Sequence, residues 1–128
     1  MKKDLSMLTK YLPLLESRGA HYDWRNDLKL LEEINKDSME CLKQYEELDR
    51  GPKTNEYLLY KCRTSGQDVN MSYFNLNVSQ EDDKTVVGLI NMAYALDRWN
   101  GNLVYSVFDD GTMYGWLKRL AEIEKEDK

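Results

Sequence analysis

Three consecutive residues in the last third of the chain, Asp97, Arg98 and Trp99, are of types that often bind another molecule. A guanidinium can hold a partner's carboxylate through two hydrogen bonds or stack on an indole, and both residue types are enriched at interfaces. Asp109 and Asp110 complete the candidate binding site. Two hypotheses stay open for Arg98: it binds a partner, or it pairs internally with one of these aspartates and locks the final helices together.

Catalytic chemistry has weaker support in the sequence. His21 near Asp23 has the composition of a base oriented by a carboxylate, but such a base also needs a nucleophile or a metal, and the chain has one histidine. The adjacent acids Asp109 and Asp110 would lie on different faces of a helix, so they predict no carboxylate pair. Phosphate loops, nucleophile elbows and metal-ligand spacings do not occur in the sequence. We therefore expect no catalytic residue, no metal site and no cofactor.

The charge balance and the cysteines limit the classes of partner. The chain has 128 residues with 18 basic and 23 acidic side chains, a net charge of −5, which disfavours direct nucleic-acid binding. No apolar run approaches the length of about 20 residues that crosses a membrane. Cys41 and Cys62 lack CxxC spacing, and the N-terminus is too polar for a secretion signal. These features predict one cytoplasmic domain spanning residues 1–128, with reduced thiols.

Two helical apolar patterns late in the chain predict the framework on which the other elements pack. Apolar side chains recur at steps of three and four residues, which places them on one face of each helix. The first set is Val86, Leu89, Ile90, Ala93 and Leu96; the second is Met113, Trp116, Leu117, Leu120 and Ile123. The segment Ser79-Gln80-Glu81-Asp82 predicts the start of the first helix. Gly111 predicts a stop between helices, although Asp-Gly is also a hairpin-turn signal.

The first half of the chain has the same periodicity and its own breaks. Leu5, Leu8, Leu12 and Leu15 share one face of a helix that Pro13 should kink. From Asn26 the pattern resumes, and Asp37 with Glu40 forms a capping box that predicts a second helix within this region. Gly51-Pro52 predicts the end of that helix. The sequence thus predicts a mainly α bundle of about five helices.

The segment from Asn55 to Val78 allows a different structure. It is rich in aromatic and β-branched residues, it alternates in part near Phe74, Leu76 and Val78, and TSGQD in its middle has a turn composition. An α+β fold with one β-hairpin around residues 57–78 is therefore the alternative to the helical bundle.

The C-terminal motif also carries a family resemblance. It consists of Asp97-Arg98-Trp99, an aliphatic stretch from Leu103 to Phe108, Asp110-Gly111 and the run Leu117-Lys118-Arg119-Leu120. Over residues 89–123 it resembles a family of small bacterial and phage-borne proteins that is known only as a domain of unknown function. The resemblance implies a helical fold and no particular activity.

The chain departs from that family's pattern at two positions. Ala95 stands where the family usually has a second arginine, and Asn102 stands where it has a glycine. A weaker similarity covers Leu8 to Trp24, and residues 36–78 are not covered. If the arginine pair of the family binds a ligand, this chain keeps half of it.

Three functions follow as hypotheses. The first is a small cytoplasmic interaction or regulatory module from a phage or mobile element that binds a protein partner; a homodimer through an exposed aromatic patch is one form of it. The second is an enzyme with a site near Arg98, and the third is an acidic inhibitor that imitates nucleic acid. The interleaved lysines disfavour the continuous negative stripe that the third needs.

Overall fold

A computed structural model describes residues 3–18, 24–69, 72–99 and 101–126, with the backbone alone at residues 18 and 24–26. Within these ranges the regular structure is helical and contains no β-strand. The α-helices are α1 (Ser6–Thr9), α2 (Leu12–Arg18), α3 (Trp24–Leu42), α4 (Pro52–Ser65), α5 (Asp83–Asp97), α6 (Leu103–Asp109) and α7 (Thr112–Glu126). Single-turn 3-10 helices lie at Tyr73–Asn75 and Val78–Gln80. The mainly α fold class is confirmed.

Helix α5 is the centre of the fold. Every residue from Thr85 to Ala93 is buried, because α3, α4, α6 and α7 all pack against it. The helix begins at Asp82, whose carboxylate accepts a hydrogen bond from the Thr85 amide at 2.9 Å. Burial disfavours the charged form of Asp82, but these bonds from Thr85 and the charges of nearby lysines hold the pKa of Asp82 below its ordinary value. Asp82 is the last residue of the predicted start signal, and Ser79, its first residue, lies in the preceding 3-10 helix.

The two apolar patterns form the core as predicted. Val86, Leu89, Ile90 and Ala93 of α5 are buried, and Leu96 is half-buried near the end of the helix. All five patterned residues of α7 are buried, among them Trp116, which is 1% exposed. Gly111 separates α6 from α7 with a φ of +88°, the left-handed conformation that glycine adopts freely. The helix, glycine, helix order is therefore confirmed.

Pro13 has the effect that its missing amide predicts. The N-terminal helical segment is interrupted before it, with α1 ending at Thr9 and α2 beginning at Leu12. A proline in this position cannot bond to the Thr9 carbonyl, so the ladder breaks there. Leu5, Leu8 and Leu15 are nevertheless all buried, because the break redirects the chain over the core.

Two predicted helix boundaries are wrong. Asp37 does not begin a helix, since α3 continues through it from Trp24 to Leu42. Its carboxylate instead accepts a hydrogen bond from the Tyr11 hydroxyl and pairs with Lys10 at 3.0 Å, so tertiary contacts replace the capping role. Gly51-Pro52 does not end a helix but begins one, with Gly51 at the cap and Pro52 in the first turn of α4. Proline suits that turn because its amide would have no partner there.

The hairpin alternative is also wrong for the described residues. Residues 52–65 are helical, and Gly66 ends that helix with a φ of +72°. The partly alternating segment forms the two 3-10 turns, in which Ser72 and Asn77 accept hydrogen bonds from the second residue after each of them. Tyr73 and Leu76 are buried. The spacing of Tyr73 and Leu76 is compatible with an irregular segment as well as with a strand. Packing against the neighbouring helices determines which of the two forms.

A polar cluster ties α3 to α5 inside the bundle. Asn91, with a relative exposure of 0%, donates to the Ser38 carbonyl at 3.1 Å and accepts from Arg50 Nε at 2.9 Å. A second Arg50 nitrogen donates to Ser38 Oγ at 2.9 Å and to the Asn35 carbonyl at 3.2 Å. Burial lowers the pKa of Arg50 to about 10, partly offset by Tyr94, so the guanidinium stays charged at neutral pH.

Candidate functional site

The candidate site lies at the corner where α5 ends and α6 begins. Asp97 is the last residue of α5, and its Oδ1 accepts a hydrogen bond from the Val104 amide in the first turn of α6, at 3.0 Å. Asn102, at the usual capping position, has a φ of +78° and makes no side-chain cap bond. Asp97 therefore satisfies an amide of α6 from the preceding helix and fixes the corner.

Arg98 and Trp99 project from this corner. Arg98 is exposed, and Trp99, at 81%, is the most exposed of the large apolar side chains in the described ranges. Single exposed apolar residues are common on protein surfaces, but a bare indole is a large area to leave in water. The backbone here is ordered by the Trp99 amide, which donates to the Leu96 carbonyl at 3.0 Å.

Asp109 and Asp110 do not join Arg98 in an ion pair. Both aspartates are exposed where α6 ends, and neither forms a salt bridge with Arg98 within the described ranges. Asp110 Oδ1 accepts from the Thr112 amide at 2.9 Å, so it caps α7. The hypothesis of an internal bridge from Arg98 thus has no geometric support, and the guanidinium remains at the surface.

A groove of about 160 Å³ lies beside the corner, between α3, α5 and α6. Apolar and aromatic side chains form much of its lining: Leu28, Leu31, Val104, Tyr94 and Tyr105. Glu32, Asn35 and Asp97 are its polar lining residues. Asp97 thus belongs both to the corner and to the groove.

Asn35, one of the lining residues, carries an unsatisfied acceptor. Its side-chain Oδ1 is buried and makes no hydrogen bond within the described part of the chain. Leaving a buried carbonyl oxygen without a donor costs on the order of 1–3 kcal/mol. The other buried side-chain polar atoms of these ranges have partners, so Asn35 Oδ1 is an exception within the described part of the chain.

The groove is acidic. Glu32 and Asp97 are carboxylates, Glu32 is exposed at the rim, and no described basic side chain lines the groove. Arg50 contacts the ring of Tyr94 with its guanidinium carbon 5.5 Å from the ring centroid, and the Tyr94 hydroxyl donates to the Leu31 carbonyl at 2.8 Å. Burial raises the pKa of Tyr94, so its hydroxyl is neutral.

Sequence reasoning found one residue of this groove and missed the others. Asp97 was a candidate because it precedes Arg98, but Glu32 and Asn35 lie some 60 residues earlier, on α3. Glu32 is one of several acids of α3 that look equivalent in the sequence. Asn35 could have been noticed in the sequence because it is a polar residue that directly follows the apolar, buried Ile34 on a helix. His21 lies outside the described residues.

Comparison with known proteins gives no information on function, so the proposal below is based on the geometry of the site. The chain matches no family model, no curated protein and no solved structure. The resemblance over residues 89–123 to a family of unknown function therefore stays a prediction.

Three further properties of the described residues bear on function. None of their helices has the length and apolar character that a membrane crossing requires. None of their histidine, cysteine and acidic side chains gather in a group of three or more that could hold a metal ion. Cys41 and Cys62 are free thiols, and burial raises the pKa of Cys41 to about 12, so this thiol is not a nucleophile at neutral pH.

Proposed function

We propose that this chain is a small protein-interaction module, and that the corner of Arg98 and Trp99 with the adjoining groove is its contact surface. The observation that carries the proposal is Trp99, a tryptophan that is 81% exposed and that lies two residues after Asp97, a lining residue of the groove. Tryptophan and arginine dominate binding energy at interfaces, and anchors of this kind pair with pockets that exclude water. A cytoplasmic location and an origin in a phage or mobile element belong to the same proposal.

The size of the groove gives little support to an enzyme site near Arg98. Sites for small-molecule substrates and cofactors usually enclose about 300–1,000 Å³, whereas this groove measures about 160 Å³. A cavity of about 150 Å³ holds one benzene ring, so the groove has room for one side chain. An enzyme near Arg98 would need a pocket that includes this arginine, and the groove includes Asp97 instead.

Variants of the corner test the proposal with an unaltered fold. The tagged chain is used to capture partners from a lysate of its native host, and the partner is then purified and its dissociation constant measured by calorimetry. We expect Trp99→Ala to weaken binding by at least about thirtyfold and Arg98→Ala by about tenfold, the range for interface anchors. Tyr60→Ala is the matched control, because Tyr60 is an exposed aromatic residue of α4, at 56%.

Sedimentation velocity tests whether the partner is a second copy of the chain. If the chain is a homodimer through this corner, wild-type protein and Tyr60→Ala will sediment as dimers and Trp99→Ala as a monomer. A partner that binds Trp99→Ala and Tyr60→Ala with the wild-type dissociation constant would refute the corner as the contact surface.

A further inference from the structure

The outer face of α4 is exposed to solvent. Thr54 and Leu58 are the buried residues of this helix, which packs on α5 and on the 3-10 turn Tyr73–Asn75. The outward side carries Leu59 and Tyr60, which are 44% and 56% exposed. They are the one pair of adjacent residues among the large apolar side chains that the described ranges leave exposed. Two such neighbours on an outward helix face are a candidate contact surface.

Charged residues extend this surface along the helix. Glu56, Tyr60 and Arg63 follow one another at steps of four and three residues, so they lie on one stripe. An open depression of about 630 Å³ follows the stripe, and its lining residues all belong to α4: Lys53, Glu56, Tyr57, Leu59, Tyr60 and Arg63. Because a single helix lines the depression, it does not enclose a small molecule, but a helix of another chain can lie along it.

Glu56 and Arg63 do not neutralise each other within one chain. Seven residues separate them, a rise of about 10 Å along the helix, whereas side chains on a helix pair at steps of three or four residues. Both are exposed, and neither forms an ion pair with another described residue. The apolar pair Leu59 and Tyr60 thus lies between a negative and a positive side chain that are both available at the surface.

We infer that two copies of this chain pair through the outer faces of α4, with the two helices antiparallel. A twofold axis that passes between Leu59 and Tyr60 brings Glu56 of each copy level with Arg63 of the other, because these two residues are equally far from the axis. Two identical salt bridges form, and the residues at the axis meet their counterparts in the second copy. A second copy is the occupant because the stripe is complementary to itself in charge.

The same charges determine the direction of the two helices. In a parallel pair with the same register, Glu56 would face Glu56 and Arg63 would face Arg63. Like charges so placed repel each other, so the parallel arrangement is disfavoured. The antiparallel arrangement converts both repulsions into attractions.

The length of α4 limits the strength of this contact. The helix has 14 residues, which corresponds to about 21 Å. A contact built on one such helix in each copy is smaller than the roughly 1,200–2,000 Å² of a stable complex. We therefore expect a weak dimer, with a dissociation constant of about 10–500 µM.

Sedimentation equilibrium of the full chain tests the inference at concentrations from about 10 µM to 1 mM. The wild type should change from monomer to dimer over this range. Glu56→Arg and Arg63→Glu should each weaken dimerisation by at least about tenfold, because symmetry places the reversed charge in two pairs and turns each attraction into a repulsion. Glu33→Arg is the matched control, since it makes the same charge change as Glu56→Arg at an exposed residue of α3.

Two further samples test the pairing of Glu56 with Arg63 directly. The double variant Glu56→Arg/Arg63→Glu exchanges the charges and should dimerise within about threefold of the wild type. An equimolar mixture of the two single variants should form a mixed dimer, because one copy is then positive at both positions and the other is negative at both. Recovery in the mixture also shows that both single variants are folded.

Three results would overturn the inference. They are a wild-type chain that stays monomeric up to about 1 mM, single variants that dimerise no more weakly than Glu33→Arg, and a double variant and a mixture that both fail to recover. The contact lies on a different helix from the corner of Arg98 and Trp99, so its failure leaves the proposed function unaffected. A dimer through the corner has another signature, because Trp99→Ala would separate it and Tyr60→Ala would not, whereas the α4 contact predicts the reverse.

Discussion

The cluster that joins Asn91, Arg50 and Ser38 allows the most exact prediction. In Asn91→Leu a buried amide is replaced by an apolar side chain of similar size, so little volume is lost. Arg50 Nε loses the acceptor that it reaches at 2.9 Å, and the Ser38 carbonyl loses a donor at 3.1 Å. The cavity contribution stays small, and the change measures the polar contacts.

The magnitude follows from these two bonds. A hydrogen bond to a charged group contributes about 1.5–3 kcal/mol, and a neutral bond contributes about 0.5–1.5 kcal/mol. The bond from Asn91 to the Val87 carbonyl lies within α5 and adds little. We therefore expect Asn91→Leu to lower the free energy of unfolding by about 2–4 kcal/mol, a large fraction of the roughly 5–15 kcal/mol typical of a domain.

Urea unfolding followed by circular dichroism measures this loss. Met92→Leu is the matched control, since Met92 is the next residue and is also buried, at 3% exposure, and a volume-conserving swap costs less than about 1.5 kcal/mol. Arg50→Met and the double variant complete a thermodynamic cycle. The Arg50–Asn91 contact would be refuted if Asn91→Leu lost no more stability than Met92→Leu. It would also be refuted if the losses of Asn91→Leu and Arg50→Met summed to that of the double variant within about 0.5 kcal/mol.

The remaining predictions concern acid, the helix packing and the tryptophans. Because the folded-state pKa of Asp82 lies below its ordinary value, its contribution to stability is full above about pH 5 and falls as the pH drops through that folded value. The urea midpoint of the wild type should therefore decline from pH 7 to pH 5 to pH 3, and it should decline less in Asp82→Asn. A wild-type midpoint that does not change with pH contradicts this prediction. Gly88→Val should cost about 1–3 kcal/mol, because a Cβ at Gly88 would lie 3.2 Å from a methyl group of α4. By contrast, Gly115→Ala should raise the free energy of unfolding by about 0.5–1 kcal/mol, because a Cβ at this position of α7 meets nothing within 4 Å. A higher melting temperature for Gly88→Val than for Gly115→Ala would contradict this packing. Trp116→Ala should lower the free energy of unfolding by about 3–5 kcal/mol, and Trp99→Ala should lower it by less than about 0.5 kcal/mol. Similar losses for the two variants in urea unfolding would mean that Trp99 is not exposed.

The sequence predicted those parts of the fold in which local pattern and tertiary packing agree. The apolar faces of α5 and α7 satisfy both, so their buried residues and the Gly111 break are found from spacing alone. At Asp37 the local capping signal competes with Tyr11 and Lys10, which come from a distant part of the chain, and the tertiary contacts prevail. Gly51-Pro52 is ambiguous in principle, because the same two residues suit the end of one helix and the beginning of another.

The candidate site was predictable only where its residues are close in the sequence. Asp97, Arg98 and Trp99 stand out because they are adjacent. Glu32 and Asn35 join them through the packing of α3 on α5, which depends on which face of α3 is buried and on how the helices align. A single sequence does not specify the alignment of two helices, so the groove becomes visible only in three dimensions.

The burial of α5 on all sides determines which of its positions tolerate substitution. From Thr85 to Ala93 every flank of the rod is in contact with a neighbour, so nearly any replacement there disturbs several helices at once. The end of the helix differs, because Asp97 is followed by Arg98 and Trp99, whose side chains are exposed. Substitutions at these two positions are therefore compatible with an unchanged helix packing.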